Sequence, residues 1–242
     1  FTLLTDQQTI TDFTSTIGNK NLLSSYICIA MPVMIAMSVI TKKTLLRVIY
    51  LIATGFGFAA LMTADSDSGI LGMAVFMIIY LVWFSNSLVR LKRFFLSATV
   101  MLLFAKLLRL FSLCFDDKSK GFDKFQEIFV FSGIGWILLA ACAVITGILY
   151  LIDYKKPNIT ISKAVPIALA VVFGLCAVAM IGIMVYFSCI DTKTDLGSFE
   201  RIIRFNDIWG THRGFMWIRS IWIFGDASFI EKLFGVGPDM FY

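Results

Sequence analysis

Six apolar runs, each close to the length of a helix that crosses a bilayer, constrain this sequence more than any other feature in it. They cover residues 22–41, 45–63, 69–85, 94–113, 129–152 and 164–190, and each is bounded by charge or by Gly, Pro, Asn or Asp. Crossing a hydrocarbon layer ~30 Å thick takes about 20 mostly apolar residues in helical conformation. Inside that layer only helices and closed barrels satisfy every backbone polar group. None of the runs alternates as a barrel strand does. The sequence therefore predicts an all-α fold, a polytopic transmembrane helix bundle of six spans. Composition decides against a soluble alternative: 59% of the 242 residues are hydrophobic and only 15% are charged, where soluble domains carry about 25%. A soluble fold of this length has too little interior to hide such a surface, 24 Phe included. A soluble enzyme, a secreted disulfide scaffold and a disordered chain are excluded.

Orientation follows from the short connections. Lys42, Lys43 and Arg47 follow the first run, Arg90, Lys92 and Arg93 the third, and Lys155, Lys156 and Lys163 the fifth. The connection after the second run, 64–68, has no cation, and that after the fourth offsets Lys118, Lys120 and Lys124 with four carboxylates. The basic connections alternate without a break, so they are expected in the cytoplasm of a cell whose membrane the chain crosses. The expected organisation is an external polar segment over 1–21, six transmembrane helices over 22–190 and an external loop over 191–242. The net charge of +5 is explained by these membrane-flanking cations and calls for no nucleic acid. The chain opens on Phe1 and closes on Phe241-Tyr242 after a Gly/Pro turn, with no signal-peptide pattern, and reads as part of a longer protein.

The loop after Asp191 is too polar to span and too aromatic for a linker, and it predicts amphipathic helices lying along the membrane surface. Within it, Gly210-Thr211-His212-Arg213-Gly214-Phe215-Met216-Trp217-Ile218-Arg219 predicts a helix from near Phe215, with Trp217 and Ile221 one turn apart and Arg213 at or before its N-terminus. An anion is favoured at such a place, and a planar guanidinium adds bidentate contacts to phosphate. Arg213 and Arg219 are thus candidates for a diphosphate site, or else anchors on lipid headgroups. Lys106 and Arg109 share a helical face near the outer end of the fourth run; they either turn inward to the same anion or snorkel to headgroups. His212 is the sole histidine and the only imidazole base within the sequence, though a loop histidine is more often simply solvated. Asp65 and Asp67 read as a hydrophilic turn or an acidic pair. The five cysteines show no metal-ligand spacing, no nucleotide-binding motif occurs, and neither a metal nor another cofactor is implied.

Three patches, in order, resemble one family. The segment Ile17-Gly18-Asn19-Lys20-Asn21-Leu22 is similar to the Gly-Asn-x-Asn signature of O-antigen ligases and O-antigen polymerases. Arg213-Gly214-Phe215-Met216-Trp217 is similar to that family's Arg-x-x-x-Trp segment, and Phe234-Gly235-Val236-Gly237-Pro238 to its Phe-Gly-x-Gly-Pro turn. The resemblance implies a polytopic bacterial glycosyltransferase of cell-surface polysaccharide assembly, acting at the outer face of the membrane. Its donor would be an undecaprenyl-diphosphate-linked glycan and its acceptor a glycan, a lipid or a protein, with Arg213 holding the diphosphate. The sequence departs from the family in two places. Ser66-Asp67-Ser68-Gly69 stands where many relatives have Ser-Arg-Gly, and the family's catalytic histidine follows the Gly-x-Gly-Pro turn, a position His212 does not match. A transporter or flippase of lipid-linked glycans is the alternative, but it needs cations along a central path, and the polar weight here lies in the tail. A third reading is a structural subunit with a lipid-anchored tail.

Overall fold

The computed structural model describes residues 17–64, 66–114, 124–156, 159, 161–192, 194, 196–197, 200–207 and 209–235, and of 111–114, 124–125, 201–202 and 210–212 only the backbone. Every regular element among them is helical. Residues 1–170 and 171–242 pack as two separate units.

The first unit is a bundle in which α4 (Leu88–Cys114) packs against α1 (Lys20–Ile40), α2 (Thr44–Thr63), α3 (Asp67–Phe84), α5 (Lys124–Val130) and α6 (Gly133–Lys155). Small residues allow the close approaches that packing in lipid requires. A Cβ on Gly55 would come within 2.5 Å of the Phe104 ring, and one on Gly69 within 2.8 Å of Leu61 and Ser24. Ile35, Val39, Leu61, Met62, Phe84 and Ala105 form the centre of the apolar core. Hydroxyls within the bundle turn to carbonyls or to one another. Ser38 meets Ser97 at 2.8 Å and Thr99 meets Thr146 at 3.2 Å, while the Tyr80 hydroxyl donates to the Pro32 carbonyl at 2.9 Å.

The second unit contains most of α7 (Ala164–Val185), which continues as a π-helical turn over Tyr186–Ile190, then α8 (Glu200–Ile203), α9 (Trp209–Asp226) and α10 (Phe229–Phe234). No residue of α7 is buried, as suits a helix solvated by hydrocarbon.

Among the described residues five helices are long and apolar enough to cross a membrane: α1, α2, α3, α6 and the continuous stretch Ala164–Ile190. Three expectations change. The fourth run begins its helix six residues before position 94, so Arg90, Lys92 and Arg93 sit in the first turns of α4 rather than in a loop. The fifth run is two helices, because the chain breaks at Phe131-Ser132. There Ser132 caps α6 by accepting from the Ile134 amide at 3.0 Å, a bond that displaces the helical ladder. The helix expected from Phe215 starts at Trp209, which puts Arg213 in its second turn and away from the free N–H groups at its start.

Candidate functional site

The N-terminal motif builds a helix start and a polar knot. Gly18 has a φ of +73°, which a glycine adopts without strain. Asn19 then caps α1, its side chain accepting from the amides of Asn21 and Leu22 at 2.8 and 3.3 Å. The Asn21 side-chain oxygen accepts from Ser66 at 3.1 Å, and Ser66 Oγ lies 3.1 Å from Ser24 Oγ and 3.0 Å from Ser68 Oγ. This knot ties the start of α1 to the connection between α2 and α3. It joins the Gly-Asn-x-Asn patch to Ser66-Asp67-Ser68-Gly69, two segments more than forty positions apart.

Lys106 is buried, at 3% exposure. Its ammonium donates to the carbonyls of Val130 at 3.1 Å and Ser132 at 2.9 Å and lies 5.3 Å from the Trp136 ring centroid. Arg109 donates to the intervening Phe131 carbonyl at 3.4 Å. The break between α5 and α6 explains this convergence. With the Ile134 amide taken by Ser132, the Val130 carbonyl loses its helical donor, and the end of α5 is the negative pole of that helix. Lys106 supplies the donor. Room for it depends on Gly135, whose Cβ would lie 2.6 Å from the Lys106 nitrogen and 2.5 Å from the Phe129 carbonyl oxygen. Lys106 is thus buried and spends two of its three N–H donors on the hinge carbonyls.

In the second unit Arg204 holds the end of the π-helical turn to the start of the tail. It donates to the Phe187 carbonyl at 3.2 Å and the Thr194 carbonyl at 2.7 Å, and pairs with Glu200 at 2.7 Å. The Phe205 amide donates to Ser188 Oγ at 2.7 Å. These anchors set Phe205 against Trp209 and Trp217, with ring centroids 5.3 to 6.5 Å apart. Gly214 is buried on the same helix against the Asn206 carbonyl and has no space for a Cβ.

Two of the candidate arginines stand on α9 in different settings. Arg213, one turn before Trp217, is exposed and makes no hydrogen bond or ion pair with a described residue. Arg219 lies over two rings of its own helix, 5.2 Å from Phe215 and 4.9 Å from Trp222. Trp217 and Ile221, one turn apart as expected, line a shallow open depression with Ser220. His212 lies in α9 with its side chain outside the described residues, as do Gly237 and Pro238 entirely, and Asp65. Gly235, with a φ of +83°, ends α10. The contributions of Arg204, Gly135 and Ser66 are absent from the sequence reading. Only Arg204 left a local signal, the i,i+4 spacing from Glu200.

The chain matches no family model, no curated protein and no solved structure.

Proposed function

We infer that the chain is a multi-pass glycosyltransferase of the cell membrane that transfers or polymerises an undecaprenyl-diphosphate-linked glycan at the outer face. In this reading α4 is the fourth of six spans, the basic ends of the helices face the cytoplasm, and α8 to α10 lie at the outer headgroups. Arg213 carries the reading: an exposed guanidinium without a partner among the described residues, in the segment that resembles the family's Arg-x-x-x-Trp, on a helix whose Trp217 packs near Phe205 and Trp209. Support also comes from the order of the three motif patches along the chain.

The chemistry asks for such a group. The donor leaves as a lipid diphosphate, and the negative charge that develops on it is stabilised by donors already in place. A guanidinium does this with two parallel N–H bonds and needs no nucleotide. His212, the residue before Arg213, is the imidazole available to take the proton of an acceptor hydroxyl. Arg219 belongs at the rim, because its face is already turned to Phe215 and Trp222.

The test is surface polysaccharide in cells carrying Arg213→Ala or Arg213→Lys at wild-type protein level. The alanine variant should lose polymer or ligated glycan, and the lysine variant should recover part of it, since an ammonium keeps charge without the planar fork. Full polysaccharide in Arg213→Ala cells would remove the reading. Topology is checked separately in a cysteine-free background: an impermeant thiol reagent on intact cells should label Asp207→Cys and leave Ser162→Cys unlabelled.

A further inference from the structure

The end of the first unit opposite the Asn21–Ser66 knot gathers the cations of three connections, and they are not equivalent. Lys92 is paired with Asp153, the only carboxylate on these connections, and lies 4.6 Å from the Tyr150 ring centroid. Arg47 and Arg93 form no ion pair with a carboxylate among the described residues; Asp153 lies near enough to Arg93 to attract it, but is itself bound to Lys92. Arg93 Nη1 donates to the carbonyls of Val39 at 2.7 Å and Thr41 at 3.3 Å, and Arg47 Nη2 donates to the same Thr41 oxygen at 3.0 Å. Two guanidiniums from α2 and α4 thus meet at the unpaired C-terminal carbonyls of α1.

This arrangement uses few of their donors. The Arg47 Nε is buried and has no hydrogen-bond partner, and the other N–H groups of both residues find no acceptor among the described residues. A buried N–H left without an acceptor destabilises the fold, and two half-buried cations side by side repel. An anion with several acceptor oxygens answers both, and two planar forks suit a tetrahedral phosphate better than a single carboxylate. Exposed Lys42, Lys43 and Arg90 beside them raise the local concentration of such anions.

We propose that Arg47 and Arg93 form a phosphate-binding site between the ends of α1, α2 and α4. The phosphate can come from an anionic phospholipid of the adjoining leaflet or from a soluble phosphate, and the donors recognise the same group in both.

The experiment uses the full chain purified in a neutral detergent. Its melting temperature is followed as dioleoyl phosphatidylglycerol, dioleoyl phosphatidylcholine or inorganic phosphate is added. Phosphatidylglycerol, inorganic phosphate or both should raise the melting temperature and phosphatidylcholine should not; a phosphatidylglycerol effect without a phosphate effect identifies the headgroup, and the reverse identifies the soluble anion. Arg47→Gln, which removes a residue with one backbone bond, should weaken the effective anion roughly tenfold, the size of a lost charged hydrogen bond. Arg47→Lys/Arg93→Lys should lose comparably, because it keeps both charges and removes both forks. Lys163→Gln, which removes one charge from the same face, should bind as the wild type does. The proposal is overturned if neither phosphatidylglycerol nor inorganic phosphate shifts the melting temperature, or if phosphatidylcholine shifts it as much as they do. It is equally overturned if Lys163→Gln loses as much as Arg47→Gln, or if the double lysine variant binds as the wild type does.

Discussion

Lys106 in the helical bundle and Arg213 in the tail are both cations in otherwise apolar and aromatic stretches of sequence, yet they are held in opposite ways. The Lys106 ammonium is buried and occupied by the Val130 and Ser132 carbonyls, with Gly135 leaving space for it. The Arg213 guanidinium is exposed and has no partner among the described residues. A charge withdrawn from water is tolerated when it is paired with acceptors, and donors spent on backbone carbonyls make the residue part of the structure. A cation held outward on a helix that is itself fixed costs the fold little and keeps its donors for a ligand. The neighbouring Arg204 follows the bundle's rule inside the tail, with acceptors on Phe187, Thr194 and Glu200.

The contrast is sharpest in substitutions that separate folding from activity. Gly135→Ala should do most, since its Cβ would meet both a backbone oxygen and the Lys106 nitrogen; loss of folded protein on size-exclusion chromatography in detergent is expected. Lys106→Met should lower stability by about 2–4 kcal/mol, because two hinge carbonyls lose a charged donor, read as a fall in melting temperature. An unchanged melting temperature would erase the distinction between the two cations. Arg213→Ala should leave the melting temperature alone and cut glycan transfer about a hundredfold, or ~3 kcal/mol of barrier. Arg219→Ala should be milder, at about 0.5–1 kcal/mol for each exposed ring contact. Equal and modest losses of activity at positions 213 and 219 would turn both arginines into headgroup anchors.

The smallest effect is a pH dependence in α10. Bonds from the Ser228 amide, and then from its hydroxyl, hold the Glu231 carboxyl below the usual carboxylate range. Ser228 is the N-cap of α10 and its hydroxyl in turn accepts from the Glu231 amide, a reciprocal capping box; a depressed folded value means that this box contributes stability above the unfolded pKa of ~4.3. That contribution disappears as pH falls through the lower folded value. The Ser228 amide resonance should report this in an acid titration, and Glu231→Gln should abolish the titration. A midpoint at or above 4.3 would contradict the box.

Much of the architecture was legible in residue order. Apolar length located the helices at 20–40, 44–63, 67–84 and 164–190 to within two residues at every end, because a hydrocarbon solvent leaves the backbone no other way to satisfy itself. Boundaries failed where hydropathy is a poor guide to the backbone. The first turns of α4 are basic and still helical, since cations at a helix end can reach headgroups or neighbouring carbonyls. Phe131-Ser132 interrupts an unbroken apolar run because a serine cap, a lysine from another helix and a glycine together make the break affordable.

The candidate site divides in the same way. Residue types and spacing marked Arg213, Arg219 and Trp217, and the family resemblance added Gly18, Asn19 and Asn21; the capping role of Asn19 follows from its place before a helix. Which cation is available and which is consumed could not be read there, since Lys106, Arg204 and Arg213 all sit among aromatic and apolar neighbours in the sequence. That was decided by contacts across long separations: Lys106 with Val130, Asn21 with Ser66, Arg93 with Val39. Local sequence sets solvent preference and helix ends, whereas the acceptor that satisfies a donor is chosen by whichever segment packs against it.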